Sequence, residues 1–246
     1  MKSLALIVLM LSAGSFVQDA IPAGTILPVL LESSVRSNKA RPGRTIKARV
    51  MQDVPLPGNS RIRAGATVIG HVVAVKAVDR TGKAEISLRF NTLVERNRHI
   101  RITTNLRALA TMLDVSQAQI PESGPDRGTS ENEWTTDQIG GEVVYRGGGI
   151  VAHGSTVVGH FVSGSGVLVR AASRPGAKCR GEVAGNDQPQ ALWVFSSDAC
   201  GIYDYPDIRL VHAGRTDPVG EITLESTRSD LNLRGGSGML LRVNPD

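Results

Sequence analysis

The sequence predicts an all-β protein, an antiparallel barrel or sandwich of many short strands with one short helix and a mobile linker near the middle. Three observations support this fold class. The 27 glycines and 12 prolines are spread among Val- and Ile-rich runs, which is typical of strands joined by tight turns. Apolar and polar residues alternate in several of these runs. Only one stretch has a helical spacing of apolar residues.

The first 18 residues have the features of a secretory signal peptide. Lys2 provides a positive start, residues 4–11 form an apolar run too short to cross a bilayer, and residues 12–15 are small. An uncleaved start or a buried first strand is the alternative. We therefore expect a secreted or periplasmic protein that has no transmembrane helix after signal cleavage.

Residues 19–119 form the first predicted β half. The run TIKARVMQDV puts Ile46, Ala48 and Val50 on one side of a strand, and residues 79–82 join two longer strands as a hairpin. The helical candidate is residues 105–119, capped by Asn105, with leucines three apart on one face.

Residues 120–138 lack periodicity and are rich in Pro, Gly, Ser and acids, which indicates a linker or loop. Short strand patterns return in residues 139–246, the second predicted β half. The sequence leaves open whether this half completes one barrel with the first half or forms a second domain. Cys179 and Cys200 lie in it, and an even pair of cysteines in an exported chain predicts a disulfide. Two free thiols with a catalytic role are the alternative, but no CxxC spacing favours them.

A nine-residue phrase occurs twice, as GATVIGHVV in residues 65–73 and as GSTVVGHFV in residues 154–162. A glycine within a strand indicates a bulge or a close approach of backbones. Two histidines, His71 and His160, do not make a metal site, which needs three or four ligands. We interpret the repeat as scaffold and predict no metal and no cofactor.

Basic residues are concentrated in the first part of the chain. Residues 1–120 carry 17 Lys and Arg against 7 Asp and Glu. One cluster has no acid between its ends, and it is the candidate ligand-binding site: Arg36, Lys39, Arg41, Arg44, Lys47 and Arg49. Such a cluster can bind phosphate or carboxylate groups. A solvated face that keeps the protein soluble is the alternative.

Aromatic residues are grouped around Cys200. Trp193 and Phe195 lie two residues apart, and therefore on one face, in a predicted strand. Tyr203 and Tyr205 follow this strand. A small core beside the disulfide is one interpretation. The other is a glycan-stacking platform of Trp193, Tyr203 and Tyr205. The neighbouring acids Asp187, Asp198, Asp204 and Asp207 could then include a glycosidase pair.

The first half resembles a known family. The runs IPAGTILPVLLES, ARPGRTIKARVMQDV and RIRAGATVIGHVV, followed by a hairpin and ISLRFNTL, are similar in their turns and strands to the C-terminal β-barrel of TrbI-type proteins of type IV secretion systems. The resemblance implies a β-barrel scaffold. It also implies a cytoplasmic segment, a membrane helix and a Pro-rich spacer, none of which this sequence shows.

No serine-hydrolase elbow and no phosphate-binding glycine loop occurs in the sequence. The leading hypothesis is a non-enzymatic, exported protein that binds or assembles at the cell envelope. Its expected partner is an envelope protein or an anionic envelope polymer, with a homo-oligomer left open. Nucleic acid is not expected, because the basic cluster has no interleaved aromatics. A glycan-binding or glycan-cleaving domain is the second hypothesis.

Overall fold

A computed structural model describes residues 20–120, 135–141, 143–145, 149–162, 166–170 and 189–245. Before the linker it contains nine strands: β1 (Ile26–Leu31), β2 (Val35–Arg36), β3 (Thr45–Val50), β4 (Val54–Pro55), β5 (Arg61–Ile62), β6 (Thr67–Lys76), β7 (Ala84–Glu95), β8 (Arg98–Arg101) and β9 (Thr104–Ala110). A 3₁₀ turn, Pro57–Asn59, joins β4 to β5, and helix α1 (Met112–Ala118) follows β9.

After the linker the described residues form eleven more strands. These are β10 (Thr135–Asp137), β11 (Val143–Tyr145), β12 (Ile150–His153), β13 (Thr156–Val162), β14 (Gly166–Arg170), β15 (Pro189–Ala191), β16 (Gly201–Tyr203), β17 (Ile208–His212), β18 (Glu221–Ser226), β19 (Asn232–Leu233) and β20 (Gly238–Val243). The predicted all-β fold class is confirmed, with one short helix near the middle of the chain.

Ten strands form a nearly closed barrel in the order β16-β9-β20-β1-β3-β6-β7-β18-β17, with β8 also paired to β7. All pairs are antiparallel except β16 with β9. A hydrogen bond of 2.8 Å from the Leu106 N–H to the Ala213 carbonyl links β9 to the end of β17. Strands from both sides of the linker therefore share one sheet, and inward side chains such as Leu27, Ile46 and Phe90 fill its core.

A second sheet has the order β10-β11-β12-β13-β14-β15. A second core joins Val151, Val167 and Val169 of this sheet to Ile26 of β1 and Leu240 of β20. The second sheet therefore packs on the outer face of the barrel at β1 and β20. Hydrogen bonds fix the junction, because Gln190 Oε1 accepts from the Ile26 N–H at 3.3 Å and Gln52 Oε1 accepts from the Trp193 N–H at 2.7 Å.

The prediction of one helix over residues 105–119 is wrong for its first half, where β9 lies instead. A register shift against β20 leaves Arg107 as an extra residue in β9. The bulge puts Leu106 and Leu109 on the same side, in the barrel core. A spacing of three therefore arises in a strand and mimics a helix. The helix is capped by Thr111, whose hydroxyl accepts from the Asp114 N–H, and not by Asn105.

Other predictions fall partly outside the described residues. The predicted signal peptide, residues 1–18, lies outside them, as do residues 121–134 of the predicted linker. The end of that linker prediction is wrong, because Thr135–Asp137 pairs with Val143–Tyr145 as a strand. Within the described residues, no helix is long and apolar enough to cross a membrane.

The repeated phrase forms strand in both copies, β6 and β13, in two different sheets. A Cβ at Gly70 would overlap the Arg89 carbonyl oxygen on β7, and a Cβ at Gly159 would overlap the Leu168 carbonyl oxygen on β14. Each central glycine thus allows a close approach of the neighbouring strand. This shared geometry supports the scaffold interpretation of the repeat.

We predict that Gly70→Ala lowers the free energy of unfolding by about 3 kcal/mol or more, because the β7 backbone must move to admit a methyl group. The matched control is Gly65→Ala, in the first position of the same phrase. Gly65 has φ +90° but open space around it, so only the backbone strain of about 1 kcal/mol applies. Urea unfolding measures both. Equal losses for the two variants would contradict the close-approach explanation.

Candidate functional site

All six residues of the predicted basic cluster are exposed, and we name them together the basic face: Arg36, Lys39, Arg41, Arg44, Lys47 and Arg49. Lys47 and Arg49 point outward from β3, since Ile46, Ala48 and Val50 between and beside them are buried in the barrel. The predicted alternation of this strand is therefore confirmed. Alternation exists here because only one face of β3 is covered.

Arg41 and Arg44 lie in the turn that enters β3. The backbone of this turn is held against β6, where the Gly43 N–H donates to the Val72 carbonyl at 2.8 Å and the Val72 N–H donates to the Arg44 carbonyl at 2.9 Å. Arg36 belongs to β2, which pairs with β19. The backbone that bears Arg36, Arg41, Arg44, Lys47 and Arg49 is thus hydrogen-bonded to neighbouring strands.

Few anions neutralise the basic face. Arg49 pairs with Glu32 at 3.5 Å, and both side chains are exposed, so this pair contributes little stability. Arg36 Nε donates to Asn232 Oδ1 at 3.2 Å. Among the described residues, Lys39, Arg41, Arg44 and Lys47 form no ion pair. Ile69 of β6 lies directly beside Lys47 in the sheet and is only partly buried, so an apolar side chain borders the cations.

The aromatic cluster lies largely in the protein interior. Trp193 is 1% exposed and Phe195 is fully buried, both in the second core. Neither residue lies in a strand, because β15 ends at Ala191. The prediction that both lie on one face of a strand is therefore wrong. Trp193 therefore presents no ring face for a sugar to stack on, and its burial favours the core interpretation.

Both tyrosines of the cluster use their hydroxyls within the fold. Tyr203 Oη accepts from the Cys200 N–H at 2.7 Å and donates to the Cys200 carbonyl at 2.9 Å. Tyr205 Oη lies 2.7 Å from Ser237 Oγ. Burial raises the pKa of each phenol. Cys200 is itself buried, whereas Cys179 lies outside the described residues, so the disulfide stays a prediction.

The acids and histidines singled out in the sequence are not brought together as a catalytic or metal site. Asp187 lies outside the described residues, and Asp207 pairs with Arg228 at 3.5 Å. His71 and His160 lie in different sheets. His212 Nδ1 lies 2.6 Å from the carbonyl oxygen of Glu221, the first residue of β18. In the described part of the chain, no group of three or more His, Cys, Asp or Glu could hold a metal ion.

Sequence reasoning missed one carboxyl pair, Asp114 of α1 with Asp204 after β16. Both carboxyl groups line a shallow cavity of about 460 Å³ together with Asp137 and Tyr203. Partial burial, followed by the contact with Asp204, raises the pKa of Asp114. The two residues are 90 positions apart in the sequence, so no local pattern could have revealed them.

Comparisons with protein-family models, with curated proteins and with solved structures find no match to this chain.

We predict that the stability of the protein falls as pH rises from the ordinary aspartate pKa through the raised pKa of Asp114, because the folded state holds that proton more tightly than the unfolded state does. Asp204→Asn should reduce this loss and should increase the unfolding free energy at neutral pH by up to about 1 kcal/mol, since the pair is partly solvated. Asparagine also tolerates the positive φ of Asp204, 50°.

Urea unfolding at several pH values, with an NMR titration of Asp114, measures this effect. The exposed Asp198→Asn serves as the control and should leave the pH profile unchanged. An unaltered Asp114 titration in Asp204→Asn would show that the carboxyl contact does not cause the shift.

Proposed function

We propose that this chain is an exported, non-enzymatic protein that binds or assembles at the bacterial cell envelope, with a TrbI-like β-barrel as its scaffold. The basic face is the binding surface, and an anionic envelope polymer or an acidic envelope protein is the partner. The observation that supports this proposal is a set of four exposed cations between β2 and the middle of β3 that form no ion pair with the described residues, namely Lys39, Arg41, Arg44 and Lys47.

Two physical arguments support a binding role for this surface. These four cations form no ion pair within the described part of the chain, and three of them lie on paired strand or on a hydrogen-bonded turn, so little entropy is lost in ordering that backbone on binding. Guanidinium groups also donate in pairs to phosphate and carboxylate, which are the anions of envelope polymers. The partly exposed Ile69 adds an apolar contact next to Lys47.

We expect the variant Arg41→Gln, Arg44→Gln, Lys47→Gln to lose most of its capture by envelope fractions in co-sedimentation. The control variant is Lys83→Gln, Arg209→Gln, Arg228→Gln, which removes the same charge near β18, the third strand from β3 along the sheet. It should sediment like the wild type. Capture should also decrease between about 0.05 M and about 0.5 M salt, since screening weakens contacts between exposed charges.

Protease treatment of the envelope fraction separates the two partner classes. Capture that survives treatment identifies a polymer, and capture that is lost identifies a protein. If the wild type, the triple variant of the basic face and the control variant all sediment equally, or if none of them sediments, the basic face is not an envelope-binding surface.

Export is tested separately, by expressing the full chain in a bacterial host and measuring the mass of the product in the periplasm. We expect a product that lacks about the first 18 residues, as signal-peptide cleavage requires. A replacement of Leu6 and Val8 by Asp, which interrupts the apolar run, should keep the uncleaved chain in the cytoplasm. An uncleaved wild-type chain would contradict the export proposal.

A further inference from the structure

A second basic region is formed by segments that follow β3 and β7, where the barrel meets the second sheet. It is a cleft of about 640 Å³, which we name the arginine cleft. Its barrel side is formed by the β4–β5 hairpin and the β7–β8 turn, and its other side by the end of β13 and the middle of β14. Four arginines line it: Arg61, Arg63, Arg96 and Arg98.

Two carboxylates in the cleft are already used by the fold. Asp53 accepts from the Ala64 N–H at 2.9 Å and pairs with Arg61 at 3.2 Å. Glu95 is buried; it accepts from the Arg63 N–H at 3.0 Å and pairs with Arg98 at 3.5 Å. Glu95 thereby ties the segment after β5 to the β7–β8 turn. These acids fix the backbone of the cleft and leave it with an excess of two positive charges.

The side chains of Arg63 and Arg96 carry that excess. Within the described residues, neither side chain forms an ion pair. Arg96 is held at a tight turn, where it and Asn97 both have positive φ, 46° and 67°. Such a turn costs energy for residues other than glycine. It directs Arg96 into the same cleft as Arg63, which is 33 positions away in the sequence.

The described residues of the opposite wall, Val162 and Leu168, are apolar. Val162 ends β13 and Leu168 lies within β14, and both are partly exposed where they line the cleft. Leu168 also packs against the barrel core, so the wall is fixed relative to the arginines. A concave site with convergent cations on one side and aliphatic side chains on the other fits a ligand that has a charged end and an apolar body.

We propose that the arginine cleft binds an oxyanion, a phosphate or a carboxylate, that is attached to a small apolar group. The guanidinium groups of Arg63 and Arg96 bind the oxyanion through paired N–H donors, and Val162 and Leu168 contact the apolar group. This inference does not depend on the envelope-binding proposal, because it uses different residues on a different part of the surface.

Titration of the full chain with inorganic phosphate, phenyl phosphate and benzoate, followed by NMR or calorimetry, tests the proposal. Phenyl phosphate should bind more tightly than inorganic phosphate. A comparison of the affinities for benzoate and phenyl phosphate shows whether the site prefers a carboxylate or a phosphate. The double variant Arg63→Gln, Arg96→Gln should weaken binding of the best probe at least ~10-fold, as loss of two charge-assisted contacts predicts.

Two further variants make the result specific. Arg209→Gln, Arg228→Gln removes the same charge elsewhere and should bind like the wild type. Arg63→Lys, Arg96→Lys keeps the charge without the planar donor pairs and should bind more weakly. Failure of all three probes to bind the wild type, or binding by the glutamine variant at wild-type strength, would overturn the proposal. The basic face is intact in every one of these variants, so envelope capture can be measured on them independently.

Discussion

The structure depends on three adjacent strands, β1, β20 and β9, that are buried on both faces. One face closes the barrel core and the other forms the second core with α1 and the second sheet. Burial on both sides removes the polar positions that an ordinary barrel strand presents to water. The apolar runs of β1 and β20 are the consequence. These two strands, the first and the last of the described residues, pair with each other in one sheet.

A large charged side chain that is buried beside the second core shows what this burial requires. Arg107, 2% exposed, occupies the bulge in β9. Its Nε donates to the Ala199 carbonyl at 3.0 Å and its Nη2 donates to the Ser197 carbonyl at 2.7 Å. A buried cation needs such partners. The same two bonds hold the segment after β15, so Arg107 helps to keep Trp193 and Phe195 in the core.

These features explain what the sequence could predict. Strand β3, covered on one face, alternates in the way that a period of two requires, so its exposed cations are visible in the sequence. Strand β9 is covered on both faces and interrupted by a bulge, so its leucines have a helical spacing. Trp193 follows a strand pattern but has φ +49°, a turn conformation that no local pattern indicates. The arginine cleft is assembled from four segments by strand pairing, which composition and spacing cannot reveal.

The same constraint determines where a partner could bind. The second sheet, α1 and the segment after β15 together cover the barrel at β1, β20 and β9, so charged side chains lie on the outer faces of the other strands, among them β3, and at the rim near β5 and β8. Lys47 and Arg49, two residues apart on a strand, are separated by about 7 Å. A repeating anion can therefore meet successive cations along β3 without reordering the chain. The buried inner face of β3 thereby sets the spacing of its outward cations, of which Arg49 is also paired with Glu32.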